Sequence, residues 1–163
     1  RLVLAGKCNE PPEQAYFEEQ VRPRLTGDDH VFGQADAVSK RKLLAGARCL
    51  LFPIQWEEPF GMVMIEAMAC GTPVVALRGG AVDEVVVDDV TGIICDSPDE
   101  LPAAMERAKA LDPAACRKHV AAHFGIGRFG SGYEDIYRSV LDAGRPLALR
   151  EVLPPDVAER ASA

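Results

Sequence analysis

Cys49-Leu-Leu-Phe-Pro-Ile-Gln-Trp-Glu-Glu-Pro-Phe-Gly-Met-Val-Met-Ile-Glu-Ala-Met-Ala-Cys-Gly-Thr-Pro-Val-Val-Ala-Leu77 is the stretch that decides the fold. It opens on a continuous apolar run, Cys49–Ile54, of the kind found in strands covered on both faces. A polar turn leads to Gly61–Cys70, a helical pattern ended by Gly71, a favoured residue just past a helix C-terminus. Pro73–Leu77 then reads as a second buried strand, broken by Gly79-Gly80. Strand, helix and strand in immediate succession imply two parallel strands joined by a crossover, which is nearly always right-handed.

The same alternation continues in both directions. Upstream, Leu2–Ala5 reads as a short strand stopped by Gly6, and Pro11-Pro12 start a helix with Tyr16, Phe17, Gln20 and Val21 on one face. His30–Phe32 is a weak strand before Gly33. Ser39 is placed to cap a helix whose inward positions are Leu43, Leu44 and Ala47. Downstream come a short helix over Ala81–Val87, a strand at Gly92–Cys95, and helices near Pro98–Leu111, Pro113–Phe124 and Tyr133–Leu141. The expected fold class is α/β, a Rossmann-like parallel sheet with helices on both faces. Residues 1–143 make one domain, and 144–163, with three prolines and little periodicity, form a loosely ordered tail.

Composition narrows the function classes. The chain has 163 residues, 48% hydrophobic and 26% charged, which suits one soluble globular domain. The net charge of −7 argues against nucleic acid or an anionic membrane as the main partner, since both reward a basic surface. Five scattered cysteines, none in a C-x-x-C pair, suggest neither a zinc site nor a disulfide framework, so a reducing, cytoplasmic setting is expected. No apolar run reaches the roughly 20 residues that span a bilayer. The chain begins with Arg1 rather than Met, directly inside a strand pattern, and is expected to be a segment of a longer protein.

In a parallel sheet, ligands bind outside the carboxyl ends of the strands, which directs attention to the turns after Ile54 and after Leu77. The first turn enters a helix at Gly61, where free amides and the helix dipole suit an anion such as a diphosphate, although most strand-to-helix turns bind only water or a capping side chain there. The helix it enters is apolar on every side except at Glu66, so it is expected to be buried. A buried carboxylate needs a partner, such as an Arg or backbone N–H groups, or a ligand hydroxyl pair such as ribose. Glu58 can sit there for the helix dipole alone, or accept from hydroxyls on the far side of the diphosphate. Gly79-Gly80 can form an anion nest or a plain tight turn. His119 and His123 have the spacing of two helical metal ligands, but Val120 replaces the Glu of H-E-x-x-H and no third ligand is evident. They are expected on a helix surface. Met62, Met64 and Met68 read as core filler.

The run from Glu58 through Glu66 to Ala76, with Gly79-Gly80 and Glu84-Val85-Val86, closely resembles the E-x7-E motif and its sequels in the retaining glycosyltransferases of family 4. Phe32-Gly33, Lys42–Leu44, Ala47–Pro53, Asp89–Gly92 and Tyr133–Tyr137 match the flanking segments. The resemblance implies the C-terminal, donor-binding half of a two-domain GT-B fold. It implies transfer of a hexosyl group from a nucleoside-diphosphate sugar, UDP-linked among the options, with retention of configuration. By that resemblance Glu58 meets the donor sugar, Phe60, Gly61, Met62 and Val63 meet sugar and diphosphate, and Glu66 holds the ribose. Lys7, Gly79 and Gly80 are candidate phosphate contacts. The family works usually without a bound metal; no D-x-D pair occurs here, and neither cofactor nor metal is expected. The phosphate-binding Arg and Lys, and the acceptor-binding domain with its catalytic histidine, would precede Arg1, so no catalytic residue is assigned. The fragment alone is expected to be inactive, and a membrane-peripheral acceptor stays open for the whole protein. Two rival readings are a sugar-nucleotide epimerase-like enzyme and a non-catalytic nucleotide-sugar-binding or interaction module.

Overall fold

The computed structural model describes residues 1–143; the expected tail at 144–163 lies outside the described residues. Five short parallel strands alternate with helices: β1 (Val3–Ala5), α1 (Pro11–Tyr16), β2 (His30–Gly33), α2 (Ala37–Gly46), β3 (Leu50–Phe52), α3 (Met62–Ala69), β4 (Val74–Leu77), α4 (Val82–Val85), β5 (Gly92–Cys95), α5 (Leu101–Arg107), α6 (Pro113–His123) and α7 (Ile126–Ala143). Within the described residues these strands form two parallel sheets, β1-β2 and β3-β4-β5, rather than one. The β1-β2 pair is the less covered of the two: Val3, Val31 and Phe32 stay 37%, 41% and 39% exposed, whereas every residue of β4 is buried.

β4 is central and shows why the decisive stretch folds as it does. It pairs with β3 through Leu50↔Val74, Leu51↔Val75 and Phe52↔Ala76, and with β5 through Val74↔Gly92 to Leu77↔Cys95. All four of its residues are buried, and their period of two feeds two cores. Val74 and Ala76 pack with Met64, Ala67, Met68, Val82, Val85 and Cys116, from α3, α4 and α6. Val75 and Leu77 pack with Ile93, Cys95, Ala104 and Ala108, on the α5 side. Helices therefore cover both faces of the sheet, as an α/β Rossmann-like fold requires. Each fully buried side chain of the size of Met64 or Met68 contributes about 1.5–3 kcal/mol.

Several expectations are corrected. The helix from Pro11 ends at Tyr16 and continues as a π turn, Phe17–Val21; Phe17 and Val21 are half-buried, while Tyr16 and Gln20, expected on the same face, are exposed. Asp36, not Ser39, caps α2: its carboxylate accepts from the Ser39 amide at 2.7 Å. Leu44 is buried, but Ala47 lies past the helix and is exposed. The last helix begins at Ile126 rather than Tyr133, running through Gly127, Gly130 and Gly132. Each glycine costs a helix about 1 kcal/mol, which hides that half from a propensity reading.

Candidate functional site

β3 and β4 end side by side, and the turns that leave them are locked together. The Ala81 amide donates to the Glu58 carbonyl at 2.9 Å, and the Gly80 amide donates to Glu57 Oε2 at 2.8 Å. Gly80 has φ +51°, and a Cβ there would stand 2.4 Å from the Glu58 carbonyl oxygen and 2.5 Å from its nitrogen. Only glycine allows this backbone-on-backbone approach. The turn after β4 thus fixes the position of Glu58, and the Gly80 amide that sequence offered to a phosphate already holds a carboxylate.

Gly61 starts α3 in the left-handed conformation, φ +71°, and a Cβ there would meet Met64 Cε at 2.6 Å and Phe52 Cζ at 3.0 Å. Its amide donates to Glu58 Oε1 at 3.2 Å, so the Glu58 carboxylate lies against the positive end of the helix. Met62 and Val63 follow in the first turn, where amides have no helical carbonyl before them. Phe60, 37% exposed, meets Phe124 edge-on at 6.0 Å between ring centroids. Trp56 and Met62 stand exposed beside it in the chain, 61% and 59%.

α3 is not buried all round. Met64, Ala67 and Met68 point into the core, while Met62, Glu66 and Ala69 share the outward stripe at helical spacing, with Met62 and Ala69 exposed. Glu66 is accordingly only part-buried, its side chain 31% exposed, and it escapes the full desolvation cost expected for it. Its partner is Lys40 of α2, with Nζ 2.5 Å from Oε1. Lys40 is the member of this site that the sequence reading missed. The available signal was a basic run, Lys40-Arg41-Lys42, on the helix preceding one with a lone acid.

The structure thus gathers Glu58, Gly61 and Gly80 through direct contacts, with Met62, Val63 and Glu66 on the helix they start. Lys7 stands exposed just past β1, and among the described residues no ion pair joins it to them. Arg78 is tied to Asp83 and, at 2.6 Å, to Asp96; the Asp96 hydrogen bond, then the Asp83 charge, hold its guanidinium pKa above the ordinary value. His119 is half-buried rather than at the surface: its Nε2 lies 3.0 Å from the Val85 carbonyl, and its ring packs on His123 and Phe124. Among the described residues no group of three or more His, Cys, Asp or Glu is placed to hold a metal ion. No helix among them is long and apolar enough to cross a membrane.

A family model described as "Glycosyl transferases group 1" matches residues 1–119. N-acetyl-alpha-D-glucosaminyl L-malate synthase of Bacillus anthracis is 32% identical over 150 residues, covering 86% of this chain and 38% of that protein. D-inositol 3-phosphate glycosyltransferase of Xylanimonas cellulosilytica is 38% identical over 144 residues, covering 87% of the chain and 34% of its own length. In three dimensions the chain superposes on sucrose-phosphate synthase from Thermosynechococcus elongatus with a TM-score of 0.72 at 28% identity, covering 86% of this chain and 38% of that one. The chain spans well under half the length of these proteins. Its own length is matched over most of the described fold, and it belongs to the group 1 glycosyltransferases.

Proposed function

We propose that this chain is the C-terminal, donor-binding part of a family 4-like glycosyltransferase that transfers a hexosyl group from a nucleoside-diphosphate sugar with retention of configuration. The observation that carries the reading is the locked pair of turns that starts α3 with Gly61 against Glu58. In this reading the amides at Met62 and Val63, with that of Gly61 once the Glu58 carboxylate has swung off it to the sugar hydroxyls, take the diphosphate, Phe60 flanks the sugar, and Glu66 accepts from the ribose. Fixed amides at the departing diphosphate stabilise charge that develops as the glycosidic bond breaks, which is the electrostatic part of catalysis. They answer the diphosphate charge without a metal, and no cofactor enters the scheme. A phosphate approaching Gly79 and Gly80 would displace the Glu57 carboxylate, and one approaching Lys7 would reach a solvated ammonium. The acceptor and the groups that act on it belong to a companion domain, so the chain alone turns over no donor.

Calorimetric titration of UDP, GDP and ADP into the chain and its Glu66→Ala variant tests this. A hydrogen bond to a charged group is worth about 1.5–3 kcal/mol, so the variant should bind the preferred nucleotide roughly 10- to 100-fold more weakly. Binding equal in both proteins would remove Glu66 from the site.

A further inference from the structure

Glu66 does not stand alone. Lys40 reaches it from α2, 26 positions away in sequence, and donates to Oε1 at 2.5 Å. α2 is anchored at both ends of this approach. At its start Asp36 accepts from the Ser39 amide, and the Lys40 amide donates to the Asp36 carbonyl at 2.8 Å. Toward its end Leu44 is buried in the core, and its carbonyl accepts from the buried Thr72 hydroxyl at 2.6 Å, just past α3. Lys40 and Glu66 are therefore presented to each other from two fixed helices, and the ion pair restrains side chains that would otherwise turn about four and three torsions.

The pair is a poor candidate for a stability device. Its side chains are 43% and 31% exposed, and ion pairs of that kind stabilise by about 0–1 kcal/mol at most. Its geometric consequence is larger. One carboxylate oxygen is held by the ammonium, while Oε2 carries no hydrogen bond among the described residues. A carboxylate has room for about four hydrogen bonds, so the free oxygen and the remaining lone pair of Oε1 can take two hydroxyls of a vicinal diol.

We propose that Lys40 is a positioning residue: it holds Glu66 in the orientation that accepts the ribose diol of a nucleoside diphosphate, and so sets the preference for ribose over 2′-deoxyribose. This rests on the assignment of Glu66 to the ribose. A general attraction of the Lys40 charge for the diphosphate would act on ribo- and deoxyribonucleotides alike, so the ratio of the two affinities isolates positioning from charge.

The test is a set of titrations of UDP, GDP and ADP and their 2′-deoxy counterparts into the 163-residue chain and its Lys40→Met, Lys40→Arg and Glu66→Gln variants. Thermal unfolding of each variant shows that the fold is kept. The unaltered chain should prefer the ribonucleotide by roughly tenfold or more, the value of one hydrogen bond to a charged group. Lys40→Met should bring that ratio close to one, and Lys40→Arg should restore most of it. A Lys40→Met variant that keeps the ratio overturns the positioning role, even if both affinities fall. A Glu66→Gln variant that keeps it, or no saturable binding by the unaltered chain, removes the ribose assignment itself and Lys40's role with it.

Discussion

Replacing Gly80 by Ala probes the joint between the two turns. The added Cβ would stand 2.4 Å from the Glu58 carbonyl oxygen and 2.5 Å from the Glu58 nitrogen, both backbone atoms that cannot rotate away. An alanine at φ +51° costs roughly 1–2 kcal/mol of conformational strain on its own. Relief of the clash must separate the turns, which sacrifices the Ala81-to-Glu58 hydrogen bond and the Gly80-to-Glu57 bond. These are worth about 0.5–1.5 and 1.5–3 kcal/mol where they are well formed. With the exposed carboxylate bond left out, the total is about 1.5–3.5 kcal/mol, a large part of the roughly 5–15 kcal/mol that holds a domain together. For a chain of this size that lowers the unfolding midpoint by roughly 3–14 °C. Thermal and urea unfolding followed by circular dichroism would read the change, with Gly27→Ala as the control, because a Cβ at Gly27 meets nothing within 4 Å. A Gly80→Ala protein within about 0.5 kcal/mol of that control would refute the claim that the two turns are held by backbone contact, since that is the range of a neutral surface change.

Three further outcomes are expected. Met68→Ala, at a fully buried position against β4, should destabilise by about 2–5 kcal/mol in urea unfolding, and a loss under 1 kcal/mol would place Met68 outside the core. Asp29, whose carboxylate accepts from the Thr26 and Leu2 amides, has its pKa lowered to about 2. A depressed carboxylate contributes stability that is present above its unfolded value, near 3.8, and lost as pH falls through about 2. The acid limb of a midpoint-against-pH curve should therefore flatten in Asp29→Asn; an unchanged limb contradicts it. A thiol reagent should label exposed Cys8 first and buried Cys95 and Cys116 last, because burial both shields those thiols and raises their pKa; labelling of all five at one rate would contradict that.

The centre of the fold was legible because the apolar runs there are short and set off by glycine and proline. Val74–Leu77, between Pro73 and Gly79-Gly80, read as a strand covered on both sides, and Gly61–Cys70 as the helix before it, though not which of its faces is inward. The limits came where geometry depends on residues distant in sequence. The Gly80-to-Glu58 approach joins loops that follow different strands, so Gly79-Gly80 alone could not be told from an anion nest. Lys40 and Glu66 lie on separate helices, and nothing local marks one as the other's partner. Glu66 looked more deeply buried than it is because composition does not show which stripe of an apolar helix faces outward. Asp36 outcompeted Ser39 as a cap by position: it precedes the helix, and its carboxylate is held below its ordinary pKa by the Ser39 amide. His30–Phe32 buries less than its apolar letters suggest, because the letters do not show what covers them.

The most direct test of the central claim is backbone amide mapping by nuclear magnetic resonance as the preferred nucleoside diphosphate is added. The account predicts the largest shifts at Gly61, Met62 and Val63, with the side-chain environment of Glu66 changing alongside. Those shifts should persist, with weaker binding, in the Glu66→Ala protein. Largest shifts at the opposite end of the strands, around Thr72 and Arg117, or none at millimolar nucleotide, would contradict it.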